Sequence, residues 1–379
     1  MAKAPRLQDL VARLAELVAF DTRNPGGREA ALVAHLEAAL AKHAPDELVV
    51  RELPRGRDDG HPGAYVFARW GAPSILLNAH VDTVAVGPGW TGDPFTLRQG
   101  EGRVTALGAA DTKGAIAAAL EALDVVHASG HRPRDCAVLF SGDEEQGGAC
   151  MEAFLKSEQA RGIASAIACE PTSCRVGHRH RGILALEIDA RSEGGHSSRA
   201  DALPAPLLEL SRIATAIGEW GERKRAEGPA GFTGMCTNIA ELRGGVGFNI
   251  IPPQATLVVS LRPPPGASLD ALSAELTAIA MASCRPTGSV TVRQVLSQPA
   301  LATRDLAAFR SALGAACDAP IDLGFWTEAA LLERDGINAV VYGPGDIAQA
   351  HGADEWVTVQ DLERARDAFA ALFVAGRAP

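Results

Sequence analysis

Five residues of this chain are of types that bind metal ions and fall where a metal site could assemble: His80, Asp111, Glu145, Glu170 and His351. A sixth, Glu144, stands beside the third. The first four close or closely follow apolar runs that read as strands or strand ends. In an open α/β sheet, ligands bind along the edge formed by the carboxyl ends of the strands. Imidazole and carboxylate donors gathered at that edge imply a hydrolytic metal centre.

Each motif has a plainer alternative. His80 ends an apolar run and begins a His-x-Asp pattern with Asp82. A ligating imidazole is usually oriented by a carboxylate at its other ring nitrogen, and Asp82 is spaced for that task. Alone, the pattern reads equally as a surface histidine near a loop aspartate. Asp111 sits in Gly108-x-x-Asp111-x-Lys113-Gly114, before an Ala-rich helix. It is either a helix N-cap or a carboxylate bridging two metals. Asp143, Glu144 and Glu145 follow an apolar run, and adjacent carboxylates repel unless cations or protons neutralise them. A surface turn would tolerate them; beside a metal, Glu145 becomes a ligand and Glu144 a general base. Glu170 again ends an apolar run, and His351 lies in a loop before the final helix. The order and placement of these signals together carry the reading. Five other histidines, His35, His43, His61, His127 and His131, fall in helices or polar loops and read as surface residues.

The elements that must position these donors follow from periodicity. Leu7, Leu10, Val11, Leu14, Leu17 and Val18 recur at helical spacing, and a second helix is expected over 29–42. Strands are expected at 47–52, 64–70, 74–78, 136–141 and 164–169, with a helix at 115–127. Alternating strands and helices predict a mostly parallel sheet sandwiched by helices. After Glu170 the pattern changes. Strands at 182–190, 235–242, 255–261 and 289–295 and helices at 203–220 and 268–282 give the order β-α-β-β-α-β. That is a ferredoxin-like α+β unit. Three segments result: 1–176 and 297–379 form a catalytic α/β domain, and 177–296 form an inserted domain.

Composition narrows the function class. The 379 residues are 47% apolar and 22% charged, as in ordinary globular proteins. The net charge of −10, without a basic block, argues against nucleic-acid binding. No run approaches the ~18 apolar residues of a membrane span, and no apolar segment suited to a secretory signal follows Met1. Seven cysteines without a Cys-x-x-Cys pair fit reduced thiols in a cytoplasmic protein.

The order of motifs resembles a family of dinuclear-zinc amidohydrolases. It includes acetylornithine deacetylase, succinyl-diaminopimelate desuccinylase, aminoacylase and glutamate carboxypeptidase. His80-x-Asp82, Gly108 to Gly114, Glu144-Glu145, Glu170-Pro-Thr, Gly195-His196-Ser-Ser198 and His351 all fall in family order. The string around Thr327-Glu328-Ala329 and the run Gly343 to His351 resemble the acetylornithine deacetylase branch. His178-Arg-His-Arg-Gly182, the Phe-Trp before Thr327 and Asp346-Ile-Ala look closer to N-acetylcitrulline deacetylase.

The resemblance implies two divalent ions, zinc foremost with cobalt as an alternative. His80 and Glu170 would hold one, Glu145 and His351 the other, and Asp111 would bridge. It further implies catalytic roles for Glu144, Asp82 and His196, substrate contacts from Asn249, Arg262 and Glu328, and an inserted domain serving as lid and dimerisation unit. His196 also reads as a turn histidine, and Arg262 as a strand-end arginine in a surface salt bridge. The expected activity is removal of acetate from N-acetylornithine or N-acetylcitrulline in arginine biosynthesis, by a cytoplasmic homodimer. The alternatives are a metallopeptidase or broad aminoacylase of the same scaffold. A structural zinc site is a poor match, because such sites are usually closed by Cys and His ligands.

Overall fold

A computed structural model describes residues 7–54, 63–229, 232, 234–284 and 289–375. His61 lies outside them. Packing divides the chain into two compact units. The first comprises the described residues of Met1–His178, Thr303–Ile321 and Thr327–Pro379; the second, those of Arg179–Ala302 and Asp322–Trp326.

The first unit is built on a mixed sheet. Its strands lie side by side in the order Glu47–Leu53, Gly63–Trp70, Cys136–Ser141, Ile75–His80, Ser165–Ala168, Asn338–Val341. The first two pairings are antiparallel. The other three are parallel, so the last four strands run in one direction. All four are buried along their whole length. Continuous apolar sequence such as Ala-Val-Leu-Phe is what a strand covered on both faces requires.

Alternation along Gly63–Trp70 shows both covers. Val66, Ala68 and Trp70 join a core with Leu10, Leu14 and Leu17 of the helix Leu7–Val18. Tyr65 and Phe67 point the other way and meet Phe154 of the helix Ala149–Leu155, with ring centroids 6.1 and 5.4 Å apart. The helix Lys113–Ala128 packs against both Leu7–Val18 and Val359–Ala375. Its alanines leave room for such close neighbours, and twelve of its sixteen residues are buried.

Register decides where the site forms. Ile75 is level with both Cys136 and Ser165, which brings His80 level with Ser141 and Asn78 with Ala168. Asn338 is level with Ser165, and Val341 with Ala168. The chain segments leaving these strands therefore emerge along one edge.

The second unit is a four-stranded antiparallel sheet in the order Cys236–Gly244, Gln254–Arg262, Ile183–Arg191, Ser289–Gln298. With the helices Pro206–Lys224 and Leu269–Ser283 it has the ferredoxin-like order expected from the sequence. One sheet face is apolar: Leu184, Leu186, Ile188, Leu257 and Val259 pack on Leu210, Ile213, Ile217 and Leu276. The first of these helices begins at Pro206 and runs to Lys224. Its charged end is part of the helix.

Two sequence expectations change. His43, read as a surface residue, is buried between helices. Its carbonyl accepts from Trp70 Nε1 at 2.9 Å and its ring stands edge-on to His127. The strand Asn338–Val341, four residues long, passes unnoticed in the sequence because it is too short to show a period.

Phe369 is fully buried and meets Tyr342 edge-on at 6.2 Å. Phe369→Ala is expected to destabilise the first unit by about 3–5 kcal/mol, measured as a lowered urea midpoint.

Candidate metal centre

His80 is the last residue of its strand, and its imidazole is buried. Nε2 lies 2.9 Å from Asp111 Oδ1 and 3.9 Å from Glu170 Oε1. Asp111 enters from the turn before Lys113–Ala128, and its second oxygen, Oδ2, lies 3.2 Å from His351 Nε2. The same His351 nitrogen is 3.1 Å from Glu145 Oε1. One carboxylate thus faces two histidines, one with each oxygen. His351 is half exposed and has a left-handed backbone, φ +59°. Glu170 stands two residues beyond Ala168, the strand's last residue. Gly343 passes so close that a Cβ there would meet the Glu170 carbonyl oxygen at 2.6 Å. All five expected donors lie in the first unit, linked by these distances.

The electrostatics of this cluster call for cations. Burial raises the carboxyl pKa values of Glu144, Glu145 and Glu170, and neighbouring carboxylates push the same way. Burial works against charge on His80, but Asp111, Asp82 and Glu170 outweigh it and hold the imidazole pKa well above its usual value. Hydrogen bonds to Asp111 and Glu145 raise the His351 pKa to about 10. Two imidazolium groups are a poor substitute for metal among so many carboxylates. The donor set, imidazole nitrogen and carboxylate oxygen, is one that zinc accepts. His80, Asp111 and Glu145 each offer an atom within 4.8 Å of the others. The residues fit a metal ion.

Glu144 opens a short 3-10 turn, Glu144–Gln146, directly after the left-handed residue Asp143, φ +66°. Asp82 fixes this turn. Its Oδ1 accepts the Glu144 amide at 3.2 Å, and its Oδ2 accepts the Glu145 amide at 3.1 Å. Asp82 is thus more than an anchor for His80. The closest partner of His80 Nδ1 is the Asp82 carbonyl at 3.0 Å, with the carboxylate further off at 3.4 Å.

Sequence reasoning missed the residues that support this turn. Asn24 Nδ2 donates to Asp82 Oδ2 and to Asp143 Oδ1, each at 3.0 Å. Glu29, buried at the start of a helix, accepts the amides of Asp143 and Ala64, each at 3.2 Å. In the sequence Asn24 falls in a loop rich in Pro and Gly, and Glu29 marks the start of a helix.

Glu328, expected as a substrate contact, is held in the first unit. It is 1% exposed, and its Oε2 accepts from Asn78 Nδ2 at 2.7 Å and Ser141 Oγ at 3.0 Å. It ties two parallel strands together just short of the site, and burial raises its pKa to about 7. His196, Asn249 and Arg262 belong to the second unit. His196 is exposed, with Nδ1 2.9 Å from Ser198 Oγ, and pairs with Ile250 in a two-residue ladder. The Asn249 carbonyl accepts the Ser197 amide at 3.0 Å. Arg262 is exposed at the end of its strand, level with Cys236.

With this geometry in place, the chain can be set beside known proteins. Residues 76–375 match the sequence pattern of peptidase family M20/M25/M40. N-acetyl-L-citrulline deacetylase from Xanthomonas campestris is 34% identical over 373 residues, covering 94% of this chain and 95% of that protein. Acetylornithine deacetylase from Myxococcus xanthus is 31% identical over 316 residues, covering 81% and 82%. A dinuclear metal-binding peptidase of the M20 family from Bacillus subtilis has the same fold, with a TM-score of 0.69 and 14% identity. That likeness covers 97% of this chain and 98% of the other. The family match spans most of the chain and includes every one of the five clustered donors. The protein therefore belongs to peptidase family M20/M25/M40 and is a metal-dependent amidohydrolase.

Proposed function

We propose that the enzyme hydrolyses the amide of an Nα-acetyl amino acid, releasing acetate and the free amino acid in arginine biosynthesis. We place N-acetyl-L-citrulline ahead of N-acetyl-L-ornithine as its substrate. The observation that carries this reading is the end-to-end likeness to N-acetyl-L-citrulline deacetylase. A dipeptidase, carboxypeptidase or broad aminoacylase on the same scaffold is the second reading, favoured by the breadth of the family.

In this reading His80 and Glu170 would hold one divalent ion and Glu145 and His351 a second, with Asp111 a ligand available to either. Zinc suits the donors, with cobalt as the alternative. When bound, such ions supply positive charge that acidifies water and polarises an acyl carbonyl. Glu144 removes the proton from the attacking water and returns it to the departing nitrogen. A general base must be held within hydrogen-bond reach of that water, and the amide contacts from Asp82 and Glu29 support such a fixed position. His196 is assigned a hydrogen bond to the acyl oxygen on the chemistry of its exposed imidazole. Arg262 is assigned the α-carboxylate, for which a guanidinium offers a matching fork, and Asn249 a further polar contact.

The second unit is taken as lid and dimerisation unit. Its strand Cys236–Gly244 pairs on one side only among the described residues and exposes Ile239 and Leu242. A second copy would cover that edge. All seven cysteines are free, which supports a cytoplasmic setting.

Glu144→Gln should retain its metal content while kcat falls by roughly 10²–10⁴-fold. Near-normal turnover with full metal occupancy would remove Glu144 from the mechanism. Extended dialysis against chelator should abolish acetate release, and added zinc or cobalt should restore it. A kcat/KM panel of N-acetyl-L-citrulline, N-acetyl-L-ornithine and unblocked dipeptides tests the substrate. N-acetyl-L-citrulline is expected to lead, and a dipeptide in first place would select the peptidase reading.

A further inference from the structure

Glu355 lies four residues beyond His351 and is neither a proposed ligand nor the base. Its side chain is 2% exposed. The carboxylate reaches across to the loop that leads into Asp111. Oε2 accepts the Gly108 amide at 2.9 Å, and Oε1 accepts the amides of Ala110 and Asp111 at 2.8 and 2.9 Å. The backbone closes the same junction: the Ala106 amide donates to the Glu355 carbonyl at 3.0 Å. Trp356–Thr358 then runs antiparallel to Arg103–Thr105. Hydrogen bonds to a carboxylate are stronger than those between neutral groups. Three of them on one buried side chain hold the loop as a single piece.

We propose that Glu355 is a positioning residue for the metal centre. Its carboxylate joins the Asp111 loop to the His351 loop and sets the separation of those two donors before any cation arrives. This inference rests on the reading that Asp111 and His351 ligate metal. Donors already in place need less ordering when metal binds. Groups that hold metal ligands typically alter affinity by about 10–100-fold.

Glu355→Gln keeps the shape but puts an NH2 group where amide hydrogens need an acceptor. Cobalt titration in a chelator-buffered solution, followed by absorption, should show the apparent Kd of at least one site rising about tenfold or more. Hydrogen exchange over residues 108–111 should quicken in the same variant. An unchanged Kd beside a lowered urea midpoint would make Glu355 a fold-stabilising residue only and overturn the proposal. Glu355→Asp keeps the charge but is one methylene short, and a smaller loss is expected. The native metal-free protein gives a test that needs no variant: the amides of Gly108, Ala110 and Asp111 should exchange slowly. Exchange at the rate of an open loop overturns the proposal. Asp111→Asn separates the two readings. Full metal affinity in Asp111→Asn removes the ligand assignment itself. Lost affinity there, with native affinity in Glu355→Gln, removes only the role of Glu355.

Discussion

Negative charge concentrated at the ends of parallel strands is the constraint around which this chain is arranged. Asp111, Glu144, Glu145 and Glu170 crowd about His80, and burial makes each carboxylate harder to ionise or more dependent on a partner. A protein interior tolerates such a group only if cations balance it and if nothing can relax away. Both conditions are met by construction. The donors suit divalent metal, and the loops that carry them are fastened from behind by further buried acids. Asp82 grips the amides of Glu144 and Glu145, and Glu29 grips the amide of Asp143.

This arrangement divides the labour among carboxylates of identical chemistry. Those pointing into the cluster can meet a cation. Those pointing away accept backbone amides, which supply partial positive charge without mobility. Glu328 is a third case: it accepts from the side chains of Asn78 and Ser141 and so joins two neighbouring strands. Its other oxygen, Oε1, has no hydrogen-bond partner among the described residues. Which kind a given glutamate belongs to depends on neighbours hundreds of positions away in the chain.

That dependence explains what could be read from the sequence. His80, Glu145 and Glu170 were legible because each ends or follows an apolar run, and a strand end is a local property; Asp111 and His351 were legible mainly through the order of motifs. The ferredoxin-like order of the second unit was legible because half-covered strands alternate: Leu184, Leu186 and Ile188 face inward while their neighbours do not. Glu29 and Asn24 were not legible, since their meaning lies in contacts with Asp143 and Asp82, more than fifty residues on. The contacts of Glu328 with Asn78 and Ser141 were not legible either, because both partners lie far away in the chain. His43 failed for a similar reason: its burial comes from Trp70 and His127, not from its own helix pattern.

The shared start line of Ile75, Cys136 and Ser165 has a bearing on how this scaffold can change. Successive side chains on a strand face opposite ways, so losing one residue inside Ile75–His80 would turn the imidazole to the other side of the sheet. Loops beyond the strand ends carry no such parity and can lengthen or shorten freely as long as their anchors survive. Variation in what the scaffold acts upon is therefore confined to the connecting segments, while the length of each central strand is frozen at the residue level.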